Sequence, residues 1–336
     1  MNSRIQVQNQ NQNTIIIDRG LTDVLKFICC LLVALSHYAQ YAIINGLSSS
    51  FIINLISTQG GYLGVSIFFL LSGYGLSESM RKRPIDFRTF AIKRICKVYV
   101  PAVVVSLIWV ITLWMIPDMQ VNTTGLDTQI SNSTVIISLL RVFLLSFQDS
   151  VLWFVKVIMV LYLSFYTYHM AKKKNSTAAL ILLIIESIII AIATYVFIAP
   201  FASVSVFAFV LGIVVSDYNQ FLSNNKWISF IGGIMLTAVI AICVRHNSYF
   251  LHGCINYVLL FCLILCFCLF EIRVDSNKYL GGLSYDLYLT HNKFKVWMAT
   301  YCPSMNILLF SIAIVAISIC YNWLYSVSTK TVKKWM

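Results

Sequence analysis

The feature that most constrains this chain is the recurrence of apolar runs of about 20 residues, broken by short polar loops. A run of that length crosses the hydrocarbon core of a bilayer as a helix, and a barrel strand would alternate apolar with polar residues instead. Hydrophobic residues make up 59% of the 336 positions and charged ones 11%, and mean hydropathy is +0.83. The expectation is an all-α, polytopic membrane helix bundle whose main partner is the lipid bilayer.

Ten spans are predicted, at about 21–45, 60–80, 95–116, 151–170, 176–198, 201–217, 226–244, 250–270, 279–300 and 305–327. An even count places both termini on one side. The formal charge of +12 does not point to nucleic acid, because the Lys and Arg residues collect in a few loops: Arg81 to Lys97, Lys172 to Lys174 and Lys330 to Lys334. Such clustering marks cytoplasmic loops, so both termini are expected in the cytoplasm. Residues 1–20, rich in Gln and Asn, read as a disordered cytoplasmic extension, residues 21–328 as one membrane domain and residues 329–336 as a basic cytoplasmic tail. The sizeable external loop is 117–150, with two glycosylation-type triplets at Asn122 and Asn132 and an amphipathic stretch around Arg141. The ten cysteines lie mostly within apolar runs and lack paired CxxC spacing, so neither a disulfide framework nor a bound metal is expected.

Against this background a few charges stand out. The first span carries Asp23, Lys26 and His37 where lipid-facing helices carry apolar residues. Eleven residues make about three turns, so Lys26 and His37 share one face about 16 Å apart, with Asp23 one turn below Lys26 and placed to neutralise it. That stripe must look into the protein or a wet cavity. In the second span Gly61, Gly64, Phe68, Ser72 and Gly75 fall near one face, a spacing that lets another helix approach closely. Lys93, Arg94 and Lys97 follow on an amphipathic helix, anchoring the inner interface and able to meet the phosphates of an anionic substrate. Glu186 sits mid-span with no evident local partner. The ninth span has a second stripe: Ser284, Tyr288 and His291 on one face, Asp286, Thr290 and Lys293 on its neighbour. Counted from the cytoplasmic ends, His37 lies about 24 Å deep and His291 about 18 Å, so the two imidazoles are expected to meet toward the outer half.

These segments, in this order, resemble acyltransferase family 3, membrane enzymes that O-acylate sugars of bacterial envelopes. Asp23-x-x-Lys26 with His37 resembles the family's first-helix motif, carrying Lys as in the surface-polysaccharide O-acetyltransferase branch. Gly64-Val65-x-x-Phe68-Phe69-x-Leu71-Ser72-Gly73-Tyr74 resembles the second-helix signature, Phe90 through Pro101 with Arg94-x-x-Lys97 the acyl-CoA segment, and Ser284-Tyr285-x-Leu287-Tyr288-Leu289-x-His291 the late motif. Lys97 replaces the more usual Arg, and an ammonium cannot make the bidentate fork.

The resemblance implies a membrane O-acetyltransferase of the bacterial cytoplasmic membrane. It would move an acyl group from cytoplasmic acyl-CoA, usually acetyl-CoA, to a hydroxyl of a cell-envelope or exported carbohydrate. Lys93, Arg94 and Lys97 would hold the CoA phosphates while the pantetheine arm climbs beside the first helix. His37 would serve as general base or acyl carrier, with Lys26 and Asp23 at the cavity mouth and His291 and Ser72 positioning substrate or stabilising the oxyanion. A transporter of a polysaccharide intermediate or small polar solute is the alternative that the same buried charges allow; a purely structural scaffold would have no use for them.

Overall fold

A computed structural model describes residues 16–48, 50–116, 135–144, 152–198, 200–244, 246, 248–270, 272–275 and 278–335. Residues 1–15, both glycosylation-type triplets and the loop segments 117–134 and 145–151 lie outside these. Every regular element among the described residues is a helix: α1 (Arg19–Ile44), α2 (Phe51–Lys82), α3 (Phe87–Met115), α4 (Val135–Phe143), α5 (Leu152–Lys172), α6 (Ser176–Phe197), α7 (Pro200–Val204), α8 (Val206–Asp217), α9 (Asn219–Asn224), α10 (Lys226–Cys243), α11 (Ser248–Phe270), α12 (Lys278–Tyr301) and α13 (Ile307–Trp335).

Among the described residues, eight helices are long and apolar enough to cross a membrane, α1, α2, α3, α5, α6, α10, α11 and α13. The two further predicted spans are also helical but differ in kind. The sixth is the shorter apolar stretch Ala202–Asp217, and the ninth, α12, has 24 residues but carries the second polar stripe. Ordered structure begins earlier than residue 21: Ile16 and Ile17 are buried, the Ile17 N–H donates to the Tyr74 hydroxyl, and the Asp18 side chain caps α1. The basic segment after 328 continues α13 to Trp335 rather than standing apart from it.

The core is a row of helices in which α2 lies between α1 and α8, and α1 lies between α2 and α12. Glycines explain how closely they approach. A Cβ on Gly73 of α2 would sit 2.1 Å from the Phe209 carbonyl oxygen of α8, and one on Gly212 of α8 would sit 2.0 Å from that of Leu70, so the two backbones touch where neither residue has a side chain. Gly64 does the same against the Cys29 carbonyl of α1 at 2.8 Å. Gly75, expected on the same close-packed face, has nothing within 4 Å; Gly73, two positions earlier, makes the contact.

Polar side chains knit the basic end. Glu78 accepts from Arg81 at 2.6 Å and from Ser216 at 2.9 Å, while Asp217 pairs with Lys172 at 2.5 Å and accepts from Ser77 and Tyr168. Glu186, with no evident local partner in sequence, accepts from Ser164 at 2.5 Å and Thr167 at 2.9 Å, so it joins α6 to α5. Before α3, the Thr89 hydroxyl and N–H hold the Asp86 carboxyl below the usual carboxylate range.

Candidate active site

Two helices carry π-type turns, Ile56–Gly60 in α2 and Ile95–Tyr99 in α3. Such a turn widens the helix and redirects backbone carbonyls. One lies at each end of the site.

At the first, the Ser57 carbonyl accepts from Gln40 Nε2 at 3.3 Å and from Ser36 Oγ at 3.4 Å. With its amide nitrogen so engaged, Gln40 turns its oxygen to His37, one turn back on α1, and accepts a hydrogen bond from the ring. His37 lines a cavity of about 220 Å³ with Ser36, Gln40, Ser57, Tyr62, Trp153, Ser205 and Tyr288. Ser205 itself reaches Ser66 at 3.3 Å.

The two sequence-predicted histidines meet. Their rings stack with centroids 5.3 Å apart and planes inclined by 27°. His291 is fully buried, and its Nδ1 lies 2.6 Å from the Tyr288 carbonyl oxygen and 3.3 Å from that of Leu287. Carbonyls only accept, so Nδ1 bears a proton and, in the neutral ring, Nε2 holds the lone pair. That Nε2 is buried with no hydrogen-bond partner among the described residues. Lys295, one turn beyond His291, acts electrostatically on both rings.

The other polar face of α12 turns elsewhere. Asp286 accepts from Asn322 of α13 at 2.5 Å, Thr290 and Ser318 lie 3.2 Å apart, and Lys293 lines a separate cavity with Trp109 and Trp297.

At the second π-type turn the Arg94 guanidinium lies between two rings, 5.3 Å from the centroid of Phe90 and 5.3 Å from that of Tyr162. Stacking of this kind contributes about 0.5–2 kcal/mol and holds the planar group in place. Its Nε is buried without a hydrogen-bond partner among the described residues. Lys93 and Lys97 are exposed beside it, and Arg19, from the first turn of α1, adds a fourth charge acting on Lys97. Among the described residues no ion pair engages any of the four. Lys93, Arg94 and Lys97 thus gather positive charge at this end, a field that favours an anion, while Arg19 is also acted on by Asp23. The Tyr285 hydroxyl, donating to the Val98 carbonyl at 2.6 Å, ties this turn to α12.

Between the two ends the structure departs from the expected open path. Phe154 packs on Phe68, Phe69 and Tyr288 with centroids 5.1, 4.9 and 4.9 Å away, and the Lys26 amine sits over Phe68 at 5.4 Å. Below the histidine cavity this leaves a void of about 10 Å³ bounded by Cys29, Cys30, Gly64, Phe68, Phe154 and Tyr288. The ends are joined by an aromatic neck, not a channel.

Two further placements differ from expectation. Asp23 acts electrostatically on Lys26, as expected, but across more than the 4 Å of an ion pair. Its carboxylate lies against Gly281 instead, where a Cβ would come within 2.5 Å of Oδ1, and Oδ2 is buried without a partner. Ser72 is not near His37. Gly64 sits opposite Cys29, and α1 and α2 run antiparallel. At about 1.5 Å per residue, Ser72 and His37 are therefore roughly 24 Å apart along the bundle. The Ser72 hydroxyl instead donates to Tyr162, beside Arg94.

Gln40 and Lys295 were missed, although each lies one turn beyond a predicted histidine, at i+3 and i+4, and Arg19 stands at the same remove from Asp23. Ser205 and Tyr162 have no comparable signal, because only the tertiary apposition of α8 and α5 brings them in.

The comparisons accord with this arrangement. No curated protein and no solved structure matches the chain. A family model described as an acyltransferase domain matches residues 22–326, which takes in the histidine cavity and Lys93, Arg94 and Lys97. The chain belongs to acyltransferase family 3 and is a multi-pass membrane acyltransferase.

Proposed function

We propose that the chain transfers an acetyl group from acetyl-CoA, bound at the cytoplasmic face of the bacterial cytoplasmic membrane, to a hydroxyl of a cell-envelope or exported carbohydrate. The observation that carries this reading is His37, which lines a cavity with its ring stacked on buried His291, joined through the aromatic neck to a basic cluster in no ion pair among the described residues. A basic cluster and a proton-accepting pair separated by roughly 24 Å of bundle suit a long donor with phosphates at one end and a reactive thioester at the other.

In this reading Arg94 makes charge-assisted hydrogen bonds to phosphate through the face of its guanidinium that the rings leave free, and Arg19, Lys93 and Lys97 add charge. The pantetheine arm displaces the neck, with Lys26 leaving the Phe68 ring for the passing polar groups. Gln40 holds one ring nitrogen of His37, so the other takes the proton of the acceptor hydroxyl. The oxygen then attacks the thioester carbonyl. An ester C–O bond forms, the C–S bond breaks, and the proton on His37 passes to the CoA thiolate. Lys295 and the cavity hydroxyls stabilise the oxyanion that appears between these steps.

Mass spectrometry of surface glycans from cells with and without the gene tests the reading. It expects ester-linked acetate to be missing without the gene, as with a chromosomal His37→Ala replacement. Unchanged acetylation, with glycan lost from the surface instead, would indicate a transporter and overturn it.

A further inference from the structure

A cavity larger than the one that His37 lines lies elsewhere among the described residues. A chamber of about 640 Å³ lies between α6, α7, α10 and α11, bounded by Ala191, Tyr195, Val204, Leu236, Gly253 and Tyr257. Its volume falls within the roughly 300–1,000 Å³ of small-molecule sites. Its walls are mostly hydrocarbon, with the Tyr195 hydroxyl and the Cys254 thiol among the few polar groups. The Ser203 and Thr237 hydroxyls on its lining are bound to carbonyls of their own helices, Pro200 at 2.7 Å and Gly233 at 2.8 Å, and the Tyr257 hydroxyl donates to the Val204 carbonyl at 2.7 Å. On its outer side Ile192, Leu236 and Ile240 are exposed, so it opens laterally on the bundle's lipid-facing surface.

Its position relative to the histidines is what gives it meaning. Ser203 and Val204 line this chamber, while the next residue, Ser205, lines the His37 cavity. The same holds across α11: Gly253 lines the chamber, while its neighbour His252 has its ring 6.0 Å from that of Tyr62, which lines the His37 cavity. A single turn of backbone therefore separates a hydrocarbon-lined chamber from the polar cavity. The wall is a close one, since a Cβ on Gly253 would meet Val204 at 2.1 Å.

We infer that the acceptor is a lipid-anchored carbohydrate, whose hydrocarbon chain lies in the α6–α7–α10–α11 chamber while its sugar hydroxyl reaches His37 next door. The inference rests on the acyl-transfer reading for the sugar. The chamber's preference for the chain of a glycolipid over that of a bulk phospholipid can be measured without catalysis.

The full-length protein in phosphatidylcholine nanodiscs is photolabelled with dodecyl glucoside carrying a diazirine in its chain, and separately with a phosphatidylcholine carrying the same group. The expected result is glucoside labelling of peptides spanning 188–195 and 250–257, lost on Ala191→Phe, which fills the chamber from a helix away from the histidines. Labelling of those peptides by both probes alike would make the chamber ordinary bilayer contact and overturn the inference, as would glucoside labelling confined to other helices. In a second arm, acetyl transfer from acetyl-CoA is measured to methyl, octyl and dodecyl glucoside. Efficiency is expected to rise with chain length in the parent and to lose at least about tenfold of that gain in Ala191→Phe, the scale of a couple of buried methylenes, with methyl glucoside unaffected. A chain-length preference that survives both Ala191→Phe and Cys254→Phe would overturn it. Absence of transfer to every glucoside, with chamber labelling intact, would count against the acyl-transfer reading of the sugar site while leaving the lipid site standing.

Discussion

The two ends of the site are built on the same helices by opposite means. Around His37 the orientation of the groups that matter is set by hydrogen bonds: Gln40 is pinned to a carbonyl freed at a π-type turn, and buried His291 is fixed as the Nδ1–H form by two backbone oxygens. Around Arg94 the groups are cations in no ion pair among the described residues, with three of the four exposed and the guanidinium held by aromatic faces. In the proposed reading the first end moves a proton in a fixed geometry and the second holds charge of opposite sign. What the contrast teaches is that binding and chemistry are separable here, with the Phe68–Phe154–Tyr288 neck as the boundary.

Substitutions on either side of the neck should accordingly fail in different ways. The largest effect is expected at His37: His37→Ala lowers kcat by about 10²–10⁴-fold, the usual worth of a positioned base, while KM for acetyl-CoA stays within a factor of two or so. A KM defect of the same size would erase the distinction. Next comes Arg94→Ala, expected to raise KM for acetyl-CoA at least about tenfold with kcat nearly kept, with Arg94→Lys recovering only part because a lysine lacks the planar fork. Exposed charges are screened, so the Lys93→Ala and Lys97→Ala penalties should be about two- to fivefold in KM and shrink as salt rises, whereas the His37 defect should not respond to salt.

The boundary has its own prediction. Phe154→Ala removes the ring that touches Phe68, Phe69 and Tyr288, and should raise kcat/KM for butyryl-CoA relative to acetyl-CoA about tenfold. An unchanged ratio would place the acyl group's passage elsewhere. The smallest effect lies outside both ends. Asp86 caps α3, and its carboxyl is held below its ordinary value by Thr89, so the ionised cap supports the helix start at neutral pH and that support is lost as pH falls through the folded-state value. Hydrogen exchange at residues 87–90 should quicken in Asp86→Ala at neutral pH, and the difference from the parent should vanish in acid.

How much of this was legible beforehand follows from what a helical sequence encodes. Length and apolarity mark where helices cross, and all ten predicted stretches are helical. Periodicity marks the face, which is why His37 and His291 could be paired, and their rings do stack. Depth was equally available but counted only for the histidines; the same count along α2 places Ser72 at the basic end with Arg94. Lateral neighbours are not encoded in period or length. That Glu186 finds Ser164, that Asp23 lies on Gly281, or that Phe154 closes the path beneath Tyr288 depends on which helices become adjacent. The π-type turns were also hidden, since Ile56–Gly60 and Ile95–Tyr99 differ from their flanks in hydrogen-bond register and not in residue type.

The separation of chemistry from binding is tested most directly by CoA release from acetyl-CoA with a glucoside acceptor, in purified parent, His37→Ala and Arg94→Ala proteins, as donor concentration is raised to saturation. The account predicts that Arg94→Ala climbs back to the parent rate while His37→Ala stays silent at every concentration. Recovery of His37→Ala at high donor, or failure of both variants alike, would contradict it.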